Sequence, residues 1–167
     1  MSVTESTPHV FQSAYYARLS ELERVHWWGL GMRAIATRML DRIASPERRW
    51  RVFDAGCGTG LSLSWLGRYT TVSPVGLDYA ADALTYCARS GHARLVQGTA
   101  TALPITSGRF DVVISMDVMQ HLPRPGGDAA MLAEIARILQ PGGRFFLRTN
   151  SRCGYDATHA DDYHRYT

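Results

Sequence analysis

Asp54-Ala55-Gly56-Cys57-Gly58-Thr59-Gly60 follows directly on the strand-like run Arg51-Val52-Phe53, and this junction decides the fold. Glycines let the backbone turn tightly and approach a ligand without a Cβ in the way. Ser62, Trp65, Leu66 and Tyr69 then fall at helical spacing and start a helix directly after the turn. The start of that helix offers free backbone N–H groups and a partial positive charge, for which a carboxylate or phosphate is the natural guest.

Working outward, strand-like and helix-like stretches alternate. Val72 to Leu77 reads as a second strand whose start is weakened by Pro74. A helix over Ala80 to Arg89 puts Ala83, Leu84, Cys87 and Ala88 on one side, and Ala93 to Gln97 is a short third strand. Phe110 to Met116 is almost wholly apolar, as a central parallel strand covered on both faces must be. Met131, Leu132, Ile135, Ile138 and Leu139 mark a further helix stopped by Pro141-Gly142-Gly143, and Arg144 to Thr149 is the fifth strand. The alternation predicts an α/β domain built on a parallel sheet. Upstream, Ile35, Met39, Leu40 and Ile43 are helix-spaced and end near Ser45-Pro46, behind an aromatic-rich stretch from Tyr15 to Trp28. The expected organisation is a helical cap over 1–46, a core over 47–150 and a polar tail over 151–167.

Composition narrows the function. The 167 residues, 46% hydrophobic and 20% charged, are ordinary for a globular domain. All 18 basic residues are arginine, the net charge is +3, and only Arg48, Arg49 and Arg51 cluster, so no nucleic-acid partner is expected. Met1 to Pro8 lacks a secretory pattern, and no apolar stretch reaches the ~20 residues that span a bilayer. Cys57, Cys87 and Cys153 form no C-x-x-C pair, which predicts free thiols in a reducing cytoplasm. His159, Asp161, Asp162 and His164 lack a zinc spacing, so no metal site is expected.

Asp78, at the end of the second strand, is placed to accept hydrogen bonds from ribose hydroxyls, and Tyr79 beside it can lie against a purine. These features alone do not separate S-adenosylmethionine (SAM) from a dinucleotide. The dinucleotide fingerprint is G-x-G-x-x-G, whereas Gly56, Gly58 and Gly60 read G-x-G-x-G.

The rest of the chain resembles one family. Asp54 to Gly60 looks like motif I of class I SAM-dependent methyltransferases, and Val75-Gly76-Leu77-Asp78 like their second motif. Gly98-Thr99-Ala100-Thr101-Ala102-Leu103-Pro104 resembles the third motif, and Phe110 to Leu122 the fourth. Glu134 to Gly143 resembles the stretch leading into the fifth strand, and the type 11 methyltransferase domain is the nearest pattern. The resemblance implies a Rossmann-like, doubly wound, mostly parallel sheet of strand order 3-2-1-4-5 with N-terminal helices. It implies SAM as cofactor and S-adenosylhomocysteine as product. Motif I, opened by Asp54, would hold the methionine portion through backbone around Ala55, Gly56 and Gly58. Asp78 would take the ribose, Tyr79 and Ala100-Thr101 the adenine, and Asp117 and Val118 would line the pocket. His121 would sit near the transferred methyl, as the candidate base, and Arg33 of His26-Trp27-Trp28-x-x-x-x-Arg33 would meet the SAM carboxylate. Trp27 and Trp28 either cap the pocket or pack the helix on the sheet. Thr99 stands where the family commonly has an acid, which predicts a weakened adenine contact.

The family's sheet ends in an antiparallel hairpin beside the fifth strand, for which this sequence holds no residues. The expectation is therefore a C-terminally truncated chain, or an edge covered by a homodimer or partner chain through β-augmentation. Transfer of a methyl group to a small-molecule acceptor is the leading function. A SAM-binding subunit that does not methylate, or depends on a partner, and a dinucleotide oxidoreductase are the alternatives.

Overall fold

The computed structural model describes residues 13–44, 48–71 and 73–150. Met1 to Pro8, the Ser45-Pro46 helix end, Val72, Cys153 and the His159 to Thr167 tail lie outside them. Two helices, α1 (Ser13–Val25) and α2 (Trp27–Asp41), precede β1 (Val52–Ala55) and α3 (Leu61–Leu66). Next come β2 (Val75–Asp78), α4 (Ala81–Arg89), β3 (Leu95–Gln97), β4 (Phe110–Met116), α5 (Gly127–Ile138) and β5 (Leu139–Arg148). All five strands are parallel, in the order β3-β2-β1-β4-β5. The chain thus winds to one side from β1 to β3, then crosses back to β4. The switch of direction lies between the carboxyl ends of β1 and β4, where open α/β sheets bind their ligands.

Alternation along the two central strands feeds two cores, one on each face of the sheet. Phe53, Ala55 and Val113 face Met131, Ile135 and Ile138 of α5. Val52, Val112 and Ile114 face Leu40 of α2, Leu66 of α3, Trp50 and Tyr69. Six of the seven β4 residues are buried, as its continuous apolar run requires. At the amino end of the sheet Asp111 accepts from the Arg51 N–H at 2.8 Å and from the Arg48 guanidinium at 2.9 Å. Burial alone would raise Asp111, but these donors outweigh it and hold its carboxyl below the usual range.

Three boundaries differ from the periodicity. Pro74 delays β2 to Val75. Helix α5 ends at Ile138, not at Pro141, and passes directly into β5, whose register against β4 jumps from Phe110↔Leu139 to Val112↔Arg144. The Pro141-Gly142-Gly143 turn is accommodated inside that jump, with Gly142 at φ +78°. The third difference concerns α2, which buries Ala36 and Leu40 but leaves Ile35 and Met39 about half exposed. Its buried face is rotated from the Ile35, Met39, Leu40, Ile43 face that the spacing predicts, because the small Ala36 permits closer approach to the domain. Cys57 and Cys87 are both buried and unbridged. No described helix is long and apolar enough to cross a membrane.

Candidate functional site

The glycine turn closes on itself. Gly56 and Cys57 both donate their N–H to the Leu77 carbonyl, at 2.8 and 2.9 Å, and Gly60 donates to the Cys57 carbonyl at 2.9 Å. Gly58 donates to Asp78 Oδ2 at 2.8 Å, and Ala80 N–H to Asp78 Oδ1 at 3.0 Å. Gly56, Cys57 and Gly58 are thus held by β2, and Gly60 by the turn itself, so these four N–H groups are satisfied within the protein. Gly56 sits at φ +101°, and a Cβ there would meet Val118 Cγ2 at 2.1 Å. Val118 therefore packs directly over motif I, which brings two of the predicted pocket residues together.

What the turn does gather is acid. Asp54 is buried, its Oδ2 accepts from the Ser62 hydroxyl, and its Oδ1 has no hydrogen-bond partner. Burial pushes its carboxyl up to about 7, with the charges of Asp78 and Glu23 adding to the effect and the Ser62 bond opposing it. Asp78 is likewise raised by burial, against the N–H bonds from Ala80 and Gly58. The third acid, Glu23 of α1, accepts from the Thr59 hydroxyl of the turn. Burial raises it too, opposed by the Thr59 bond and the charge of Arg148. Tyr16 of α1 packs against Ala80 and Ala83, its hydroxyl raised by burial and by the charge of Asp78.

Asp54 has a consequence for stability. A carboxyl raised from 3.8 to about 7 binds its proton more tightly in the folded chain than in the unfolded one. Its stabilising contribution is complete below the unfolded value and disappears as pH rises through the folded one. The unfolding midpoint is expected to fall between about pH 4 and pH 7, by the equivalent of a few kcal/mol, and to level off above. Asp54→Asn should flatten that fall, and an unchanged slope in thermal scans would remove Asp54 as its source.

The opposite wall comes from β4 and β5. Asp117 follows β4 at φ +57°, uncommon for a residue with a side chain. Its N–H donates to the Arg148 carbonyl at 2.9 Å, and its carboxylate is gripped by the Arg148 guanidinium, with Nε to Oδ1 at 3.1 Å. His121 closes the short 3-10 turn Met119–His121 and is exposed. On the adenine side Tyr79 is 68% exposed, with its carbonyl held by Gln97 Nε2. Thr99 Oγ1 bonds Thr101 Oγ1 at 2.8 Å, and the Ala100 methyl turns into the core. The loop that follows is pinned to α5, where Leu103 N–H donates to Glu134 and Arg137 reaches the Leu103 and Ile105 carbonyls. The Arg137 bond holds Glu134 down to about 2.

Arg33 and Trp28 both lie on α2. Arg33 lines a groove with Trp65 and Arg68, at the opposite end of α3 from the glycine turn. Trp28 is 53% exposed and meets Trp27 edge-on at 5.8 Å, so neither indole anchors the core. Glu23, Thr59 and Arg148 were not singled out by the sequence reading. Arg148 carried a signal, because parallel β4 and β5 must end side by side. Glu23 carried none, in a polar helix far along the chain from the turn.

The site fits a cationic nucleoside better than a dinucleotide. The Gly56, Gly58 and Gly60 N–H groups are already bonded within the protein, which removes these three as donors to a pyrophosphate. A sulfonium and an ammonium need acceptors, and here a buried carboxylate oxygen without a hydrogen-bond partner lies with two further acids at the turn. Fold and site together define a Rossmann-like nucleotide-binding domain with an acid-lined turn.

Comparison with known proteins narrows that class. Residues 53–147 match the methyltransferase domain family. A Mycolicibacterium smegmatis fatty-acid O-methyltransferase is 36% identical over 110 residues, 64% of this chain and 39% of that protein. A ubiquinone biosynthesis O-methyltransferase of Xanthomonas euvesicatoria is 33% identical, over 61% of this chain and 44% of that protein. A Methanococcus maripaludis structure designated a SAM-dependent methyltransferase superposes with TM-score 0.72 at 19% identity, covering 90% of this chain and 68% of that one. The chain belongs to the SAM-dependent methyltransferase domain family, and its cofactor is SAM. It spans about two-fifths of the length of these two curated relatives.

Proposed function

We propose that this domain transfers a methyl group from SAM to an oxygen of a small, largely apolar acceptor. The acid-lined glycine turn carries the SAM half of this reading, and the O-methyltransferase relatives support the acceptor half. SAM supplies an electrophilic methyl carbon on a sulfonium. The protein's task is alignment and exclusion of water. Asp78 holds the ribose, Tyr79 and the Ala100-Thr101 backbone flank the adenine, and backbone from Ala55 to Gly58 seats the methionine end. Val118 and Asp117 form the wall toward the acceptor, with Asp117 fixed by Arg148 rather than acting as a base. His121, beyond Val118 on the acceptor side, takes the proton of a hydroxyl acceptor. The outer edge of β5 pairs with no other described strand, and we assign that edge to a further strand or a partner chain.

Calorimetric titration with SAM, S-adenosylhomocysteine and NADH tests the site, with binding expected for the first two alone. Binding of NADH and not SAM would overturn the reading. The acceptor chemistry is tested with octanoate and a catechol. A fatty acid is already ionised at neutral pH and needs no base, whereas a phenol does. His121→Ala is expected to lower turnover of the catechol by about 100-fold, with octanoate turnover and SAM affinity unchanged. Equal loss on both acceptors would remove His121 as a base, and methylation of neither would overturn the oxygen-acceptor assignment.

A further inference from the structure

Glu23 lies outside every motif that links this chain to its family, yet the fold brings it onto the glycine turn. It sits on α1, 36 positions before its partner Thr59, and the Thr59 hydroxyl donates to its Oε2. No other hydrogen bond to the Glu23 carboxylate is recorded among the described residues. Near it lie the buried Asp54, with its unpartnered Oδ1, and Asp78, whose two oxygens hold the Gly58 and Ala80 N–H groups. Both Glu23 and Asp78 act on Asp54 as neighbouring negative charges. The nearby cation is Arg148, and its guanidinium is already gripped by Asp117. Three acids, Glu23, Asp54 and Asp78, thus gather at the turn, where the Arg148 guanidinium is already taken by Asp117.

Their proximity favours the protonated forms when the site is empty, and an entering cation would favour the ionised ones. Among the described residues no three His, Cys, Asp or Glu side chains gather closely enough to hold a metal ion. The acids are spread along the turn and suit an extended organic cation. We infer that Glu23 is a cofactor-binding residue: with the orphaned Asp54 oxygen, it receives the α-ammonium of the cofactor's methionine portion, so that α1 forms one wall of the cofactor pocket. The inference rests on the SAM reading of the site and adds a ligand contributed from outside the sheet. Thr59 orients the carboxylate by occupying Oε2 and leaving Oε1 for the ligand.

Three probes locate the contact. SAM and S-adenosylhomocysteine both carry the α-ammonium, whereas 5′-methylthioadenosine keeps the nucleoside and lacks the amino-acid end. Removing a charge-assisted hydrogen bond to a buried group typically weakens binding about tenfold or more. Glu23→Gln is therefore expected to weaken SAM and S-adenosylhomocysteine by about tenfold and to leave 5′-methylthioadenosine within a factor of about two. Thr59→Val, which frees the Glu23 carboxylate without removing its charge, should act in the same direction to a smaller extent, and it carries the test if Glu23→Gln fails to fold. Equal weakening of all three probes would overturn the assignment and reduce Glu23 to packing α1 on the turn. Tighter SAM binding by Glu23→Gln would also overturn it, making Glu23 an internal competitor for the pocket. If the unaltered protein binds none of the three, the SAM reading itself fails. If it binds them and Glu23→Gln changes nothing, only the present inference does.

Discussion

Asp78→Ala is expected to raise the dissociation constant for SAM by about 100-fold or more, the largest effect on binding of any single side chain here. Two losses combine. The ribose hydroxyls lose their charged acceptor, and the Gly58 and Ala80 N–H groups lose theirs, at 2.8 and 3.0 Å. The second loss loosens the turn that seats the methionine end, so the damage spreads beyond the ribose. Asp78→Asn should fall between, since its amide retains one acceptor oxygen but presents an NH2 to one of two backbone donors. Calorimetry on both variants, with circular dichroism to confirm folding, measures this. An Asp78→Ala protein that binds SAM within threefold of the original would show that the ribose is held elsewhere.

The second large effect concerns folding. Gly56→Ala places a methyl group 2.1 Å from Val118 Cγ2, at a backbone φ of +101° that residues with a Cβ rarely adopt. Val118 cannot swing aside cheaply, because a β-branched side chain has few rotamers and its Cβ is itself 3.2 Å away. Backbone strain of about 1–3 kcal/mol and overpacking of about 1–3 kcal/mol together remove a large part of a typical domain's stability. Gly58→Ala is the control. Its φ of +53° is left-handed, but open space surrounds the position, and the expected loss is only about 1–2 kcal/mol. Urea midpoints should separate the two variants clearly. Equal midpoints would mean that Val118 does not pack on motif I as described.

Much of this was legible beforehand, for identifiable reasons. The β4 boundaries followed from an almost wholly apolar run, as a strand buried on both faces sustains. Asp78 followed from its place at the end of β2. Strand order came from the resemblance, since periodicity fixes elements and not their neighbours. The α5 end was misplaced because Pro and Gly were read as a helix stop, whereas Leu139 is already extended and paired with Phe110 of β4, and the turn belongs to a strand irregularity. Arg33 and Trp28 were expected at the pocket from pattern alone. The face that α2 buries is set by Ala36 and Leu40, and this directs Arg33 toward Trp65. Glu23 was beyond reach, because no local spacing reports a contact across 36 residues between two elements.

The hydrogen bonding of the glycine turn bears on how the ligand enters and leaves. With Gly56, Cys57, Gly58 and Gly60 all bonded within the protein, the sheet side of the pocket is finished before any ligand arrives, so binding need not order it. The α1 side is held more lightly, by the Glu23–Thr59 bond and the packing of Tyr16. The two sides of the pocket are thus built differently, one by backbone bonds inside the sheet domain and the other by side chains of a helix laid against it.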